Sequence, residues 1–217
     1  MTAPVRSARP VSGDDGAALL LALMVTVLLH ALGAGLVTLS LTERLIASHH
    51  RGSAEVRYAA AAIVERAVDD LQLLTDWQGA LSGTAQSGFL DASSRPTTPW
   101  GSVLDVSQLT TTLQAESDMQ AGRGADNPQW RLFASGPMSG LLGGATARPF
   151  YLVAWVADDV AESDAAPAAD ANGIVAVRGL AIGPGSISAR VAATLAAVED
   201  PQLGRTGVRV LSWREIR

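Results

Sequence analysis

Asp158, Asp159, Glu162, Asp164, Asp170 and Asn172, followed by Gly173, crowd oxygen donors into one short stretch of the chain. A calcium ion takes roughly six to eight such oxygens and accepts them from loops, so Ca²⁺ is the cation this composition would suit. The spacing is not the D-x-[DN]-x-[DN]-G run of an EF-hand. A solvated hairpin loop of Asp, Ala and Pro accounts for the same residues. The sequence therefore calls for no cofactor, with Ca²⁺ in the 158–173 loop as the one alternative.

The histidines offer less. His49 and His50 stand beside Arg51, but neighbouring helical residues point about 100° apart and do not readily share one metal. Contact with a membrane interface suits them better. His30 is the sole ionisable side chain between Ala17 and Thr42. In a membrane segment such a residue either contacts a neighbouring helix or stays neutral and bonds locally. No Ser-His-Asp arrangement, P-loop or HExxH is present, and with no cysteine there is neither a disulfide nor a thiolate metal site. Trp77, Trp100, Trp130, Trp155 and Trp213 read as core and sheet-packing residues rather than a ligand box. A net charge of −5 argues against nucleic acid, which wants a basic stripe. The chain reads as non-enzymatic.

The elements that would carry these residues begin with the apolar run Ala17–Thr42. A bilayer core needs roughly 20 apolar residues in helix, and each central Leu, Ile or Val favours insertion by about 0.3–0.6 kcal/mol. Leu19–Leu21, Leu23, Leu28, Leu29, Leu32, Leu36, Leu39 and Leu41 together outweigh Thr26, Ser40 and a neutral His30. A secretory h-region is only about 7–15 residues long, so the run is expected to stay as an anchor. Arg6 and Arg9 precede it while Arg44 and Arg51 follow, which leaves the basic residues tied. A short polar leader translocates less readily than it stays inside, which places the C-terminal domain outside the cytoplasm.

Residues 1–16 form a polar leader, 17–42 the membrane half of a helix, and 43–74 its amphipathic half. Val56, Ala60, Ile63, Ala67, Leu71 and Leu74 recur at steps of three and four, one face of a helix. Arg66 and Asp70 can pair across one turn. Residues 75–129 are a variable region, in which Asp105 is placed to cap a short helix over 106–120. Residues 130–217 are rich in β-branched and aromatic positions and predict strands at 130–135, 150–156, 174–182, 187–198 and 208–216, with a turn at Gly183-Pro184-Gly185. In the second strand both alternating sets are apolar, so it should be buried on both faces. Val208 and Val210 alternate with Arg209, as on an edge strand or a strand with one wet face. The fold class is α+β, a long N-terminal helix packed on an antiparallel sheet.

A helix half membrane and half core, a variable loop and an antiparallel sheet resemble a type IV pilin. The stretch GAALLLALMVTVLLHALGAGLVTLSLTERLIASHHRGSAEVRYAAAAIVERAVDDL is similar to the N-terminal region of PilX-type minor pilins, with its Gly, its Ala/Leu-rich segment, its Glu-Arg and its small-residue helix. The resemblance implies a bacterial envelope protein, single-pass in the cytoplasmic membrane. Prepilin peptidase would cut between Gly16 and Ala17 and leave an amine that is usually methylated. Leu21 stands where major pilins place a carboxylate that pairs with a neighbour's N-terminal amine, and Asp14 and Asp15 stand where leaders often carry a basic residue. The resemblance further implies a low-copy subunit whose partners are other major and minor pilins and the inner-membrane pilus assembly platform. Leu21, His30, Gly33 and Gly35 would lie in the helix-packing surface, where small residues allow close approach. Two alternatives share the architecture or part of it. One is a K-type minor pseudopilin of a type II secretion tip; the other is a single-span envelope protein with a binding domain.

Overall fold

The computed structural model describes residues 14–120, 124–143, 149–162, 166–200 and 205–216. Most of the expected leader, residues 1–13, and Asp164 lie outside them. The chain divides into two compact units, Met1–His50 and Arg51–Arg217. Helix α1, Asp14–Leu71, contributes to both.

In the second unit α1 turns one side inward. Val56, Ala59, Ala60, Ile63, Val64, Ala67 and Leu71 are all buried, the face the three-and-four spacing predicts. The helix stops at Leu71 rather than Leu74, because its terminal carbonyl finds other donors. Leu71 O accepts from Leu74 N and from the Trp77 indole Nε1, each at 3.2 Å. Leu74 still packs against the core from the turn. The Arg66–Asp70 pair forms at 2.8 Å, and Ser87 Oγ donates to the same carboxylate.

Helix α2 (Gln78–Ser82) and helix α3 (Val106–Asp118) precede the sheet. Asp105 caps α3, its Oδ1 accepting from Gln108 N at 2.9 Å. The strands are β1 (Arg131–Pro137), β2 (Tyr151–Asp158), β3 (Ile174–Ile182), β4 (Ser188–Asp200) and β5 (Arg205–Ile216), with helix α4 (Met138–Leu142) after β1. They pair in chain order, all antiparallel, a five-stranded meander. The α+β expectation holds at this level.

Helices cover both faces of the sheet, a point the one-helix expectation missed. Leu152, Ala154, Val156, Val177, Ala193 and Leu195 pack against α1. Tyr151, Val153, Trp155 and Leu180 pack with Val106 and Leu113 of α3 and with Trp130. This is why every residue of β2 is buried and why both of its alternating sets are apolar. Glu116 ties α3 to the sheet, its carboxylate 3.0 Å from Arg190 Nη1 and 3.7 Å from Arg178 Nη1. Arg178 also lies 4.9 Å above the Trp130 ring, a cation–π contact. The backbones of α1 and β3 come close at Gly179. A Cβ there would sit 2.5 Å from Val64 Cγ2 and 2.8 Å from Ala60 O.

The two sheet edges differ. At β1 the segment 87–91 closes the edge: Ser87 N donates to Phe133 O at 2.9 Å, Ser135 N to Phe89 O at 3.0 Å, and Asp91 N to Ser135 O at 2.8 Å. Strand β5 is the other edge, the first of the two readings of the Val-Arg-Val alternation. Its register against β4 slips where Leu195 faces Val210 and Thr194 faces Ser212, so Leu211 is the extra residue of a β-bulge. Trp77, Trp130 and Trp155 are buried, but Trp100 is half-buried and Trp213 is 42% exposed. Of the five tryptophans read as core and sheet-packing residues, Trp213 lies on the edge strand and is not core.

Candidate functional sites

Two regions carry residues the sequence singles out. In the first unit α1 is one helix whose side chains are exposed from Gly16 to His50. It is long and apolar enough to cross a membrane. Its polar side chains bond to their own backbone. Thr26 Oγ1 donates to Ala22 O, Thr38 Oγ1 to Ala34 O at 2.9 Å, and Thr42 Oγ1 to Thr38 O at 3.0 Å. His30 Nδ1 lies 2.7 Å from Thr26 O, and since a carbonyl only accepts, Nδ1 carries the proton. This is the locally bonded imidazole. A helix that meets its polar needs internally suits hydrocarbon, where an unmet polar group is expensive.

Gly16 and Ala17 lie in the first turn of α1, which begins at Asp14, and both are exposed. A Cβ at Gly16, Gly33 or Gly35 would meet nothing within 4 Å, and Leu21 is exposed. The surface proposed for helix packing is therefore open in the single chain. His49 and His50 are exposed as well.

The second region is the acidic end of β2. Carboxylate oxygens of Asp158, Asp159 and Glu162 all lie within 4.8 Å of one another. Asp158 is only 2% exposed. Burial, together with the charges of Glu162, Asp159 and Asp170, pushes its carboxyl up to about 7, against the opposing pull of the Asp159 backbone N–H. Burial also raises Asp170. The cluster could hold a metal, and an all-carboxylate donor set would favour a hard cation such as Ca²⁺. Its oxygens are also well used by the loop itself. Asp159 accepts from Asn172 Nδ2 and Ala161 N, each at 2.9 Å, and Glu162 accepts from Ala171 N. Asp170 Oδ1 takes Gly173 N at 2.6 Å, where Gly173 adopts a left-handed φ of 73°. These bonds fold the loop, which is the work the hairpin reading assigns them.

No protein-family model, curated protein or solved structure matches the chain. The functional argument therefore rests on residues and geometry.

An open cleft of about 520 Å³ lies between α3 and the segment leading into β1, lined by Gln114, Asp118, Asn127, Trp130 and Arg131 among others. The amide of Gln114 donates to Asp118 and to Pro128 O and accepts from Trp130 N, so its polar lining is engaged in folding. Sequence reasoning missed this cleft, the Glu116 clamp and the apolar side of β5. The first two depend on contacts between distant segments, which leave no periodic trace. The third was partly visible in Val208 and Val210, but the bulge that brings Trp213 beside them was not.

Proposed function

We propose that this protein is a structural minor subunit of the type IV pilin kind, anchored in the bacterial cytoplasmic membrane with its sheet domain outside the cytoplasm. The observation that carries the reading is the division of labour along α1. From Gly16 to His50 its apolar side chains face outward in every direction, and from Val56 to Leu71 one face forms the core of an α+β domain. A soluble protein would expose no such surface. A membrane helix that also nucleates an extracytoplasmic domain accounts for both halves.

In this reading prepilin peptidase removes residues 1–16, and Ala17 becomes the N-terminus. The exposed helix then associates with the same segment of other pilins through packing and small residues such as Gly33 and Gly35. Leu21 supplies no carboxylate for a neighbour's amine, so the subunit joins a bundle without offering that pairing. Mass measurement of the membrane-extracted chain tests the proposal. The expected product starts at Ala17, and a bulky replacement of Gly16 blocks its formation. An intact Met1, or a start near Ala34, would refute it.

A further inference from the structure

We infer that the outer edge of β5 is a docking edge for an extended strand of another protein, one that is apolar on one face and acidic on the other. Among the described residues no strand pairs with this edge, while the opposite edge is closed by residues 87–91. Natural sheets usually shorten, cover, bulge or charge such an edge. This one has the bulge at Leu211 and exposed arginines, yet it remains uncovered over twelve residues, Arg205–Ile216.

The two faces of β5 are chemically distinct because of the bulge. Val208, Val210, Trp213 and Glu215 oppose Ala197, Leu195, Ala193 and Val191, so they lie on the α1 side of the sheet. Arg209, Ser212, Arg214 and Ile216 oppose Ala196, Thr194, Ala192 and Arg190, on the α3 side. Val210 is 45% exposed and Trp213 42%, side chains that an added strand would cover. On the other face Arg209 and Arg214 are exposed, and among the described residues no carboxylate pairs with them. Glu215 pairs with Arg57 on the opposite side, at 3.8 Å.

Charge decides the occupant. Residues 205–217 hold four arginines and one glutamate in a chain of net charge −5. A second copy pairing through the same edge would bring two Arg209 and two Arg214 onto one face of one seam. Like charges across a strand pair are destabilising, and opposite charges favourable. A strand with valine-like residues toward Trp213 and carboxylates toward Arg209 and Arg214 satisfies both faces. Main-chain hydrogen bonds would supply affinity and the alternating side chains specificity. The inference does not depend on the N-terminal processing proposed above.

The test uses the full chain in detergent micelles and a fluorescent nine-residue peptide of alternating valine and glutamate. Fluorescence anisotropy should detect its binding, weakened by salt and by N-methylation of alternate peptide amides. A valine–lysine peptide should bind at least tenfold more weakly. The double variant Arg209→Glu/Arg214→Glu should invert that preference while keeping the same circular dichroism and melting temperature. Absence of binding, equal binding of the two peptides, or an unchanged preference in the double variant would overturn the inference. So would sedimentation of the chain as a dimer that the double variant dissociates, since the occupant would then be a second copy.

Discussion

Replacing Gly179 by alanine tests the seating of α1 on the sheet. The new methyl would lie 2.5 Å from Val64 Cγ2, 2.8 Å from Ala60 O and 3.0 Å from Ile63 Cγ2, where non-bonded carbons prefer about 3.5–4.0 Å. The valine methyl can rotate away, but the Ala60 carbonyl belongs to the helix backbone, so helix and sheet must part locally. Overpacking of this kind costs about 1–3 kcal/mol, against about 0.4–1 kcal/mol regained from a stiffer unfolded chain. The net loss is about 1.3 kcal/mol. At about 2–4 °C per kcal/mol for a chain of this size, the melting temperature falls by about 3–5 °C. Thermal unfolding followed by near-ultraviolet circular dichroism measures it. Gly52→Ala serves as the control: its methyl meets only Ile187 Cδ1 at 3.4 Å, and it should stabilise by about 1 kcal/mol through helix propensity. A cycle with Val64→Ala should show coupling, because the two residues share the contact. If Gly179→Ala melts with the parent protein, or the cycle is additive, the helix is not seated over β3 as described.

Three further outcomes follow from the same structure. Ile63→Asp or Leu71→Asp places an unpaired charge at a position with no exposure and should cost several kcal/mol, read as loss of cooperative unfolding; normal melting would remove this face from the core. The Asp158 carboxyl, raised from 3.8 to about 7, holds its proton more tightly folded than unfolded. Its contribution is therefore complete below about pH 4 and is lost as pH rises to about 7, a ceiling of about 4 kcal/mol at about 1.4 kcal/mol per pH unit. Asp158→Asn should raise the melting temperature at pH 8 and leave it nearly unchanged at pH 4, and a parent protein whose stability did not fall between those values relative to the variant would contradict the burial argument. Finally, with Leu21 in place of a pairing carboxylate, sheared filaments should contain this chain at a few per cent of the major subunit or less, by quantitative mass spectrometry. Filaments built mainly of this chain would refute the minor-subunit reading.

The amphipathic half of α1 was legible because burial against one sheet face leaves a three-and-four spacing, and five of the six residues so identified are buried core. The sixth, Leu74, fell beyond the helix end, where the indole of Trp77, six residues past Leu71, helps satisfy the last carbonyl. Strand β2 announced its double burial through two apolar sets, yet the element on its second face was obscure. Helix α3 spends Thr110, Thr111 and Thr112 on hydrogen bonds to its own backbone and offers only a thin apolar line at Val106, Leu109 and Leu113. Its cap at Asp105 was the readable part, since capping is local chemistry. The acidic residues were readable as a loop, but their burial, which sets the behaviour of Asp158, depends on how β2 and β3 meet.

The order in which this chain is made matters to the core it builds. Leu71, the last buried residue of α1, leaves the ribosome about sixty residues before Phe133, the first strand residue of the core they share. At about 5–20 residues per second that is a delay of roughly 3–12 s. Throughout it the side from Val56 to Leu71 has no strand to lie on. The meander itself joins neighbours in sequence, so each hairpin can close soon after its second strand appears. The slow partner is the helix that comes first, and it is during this interval that the chain most needs a chaperone or a bilayer to shield it.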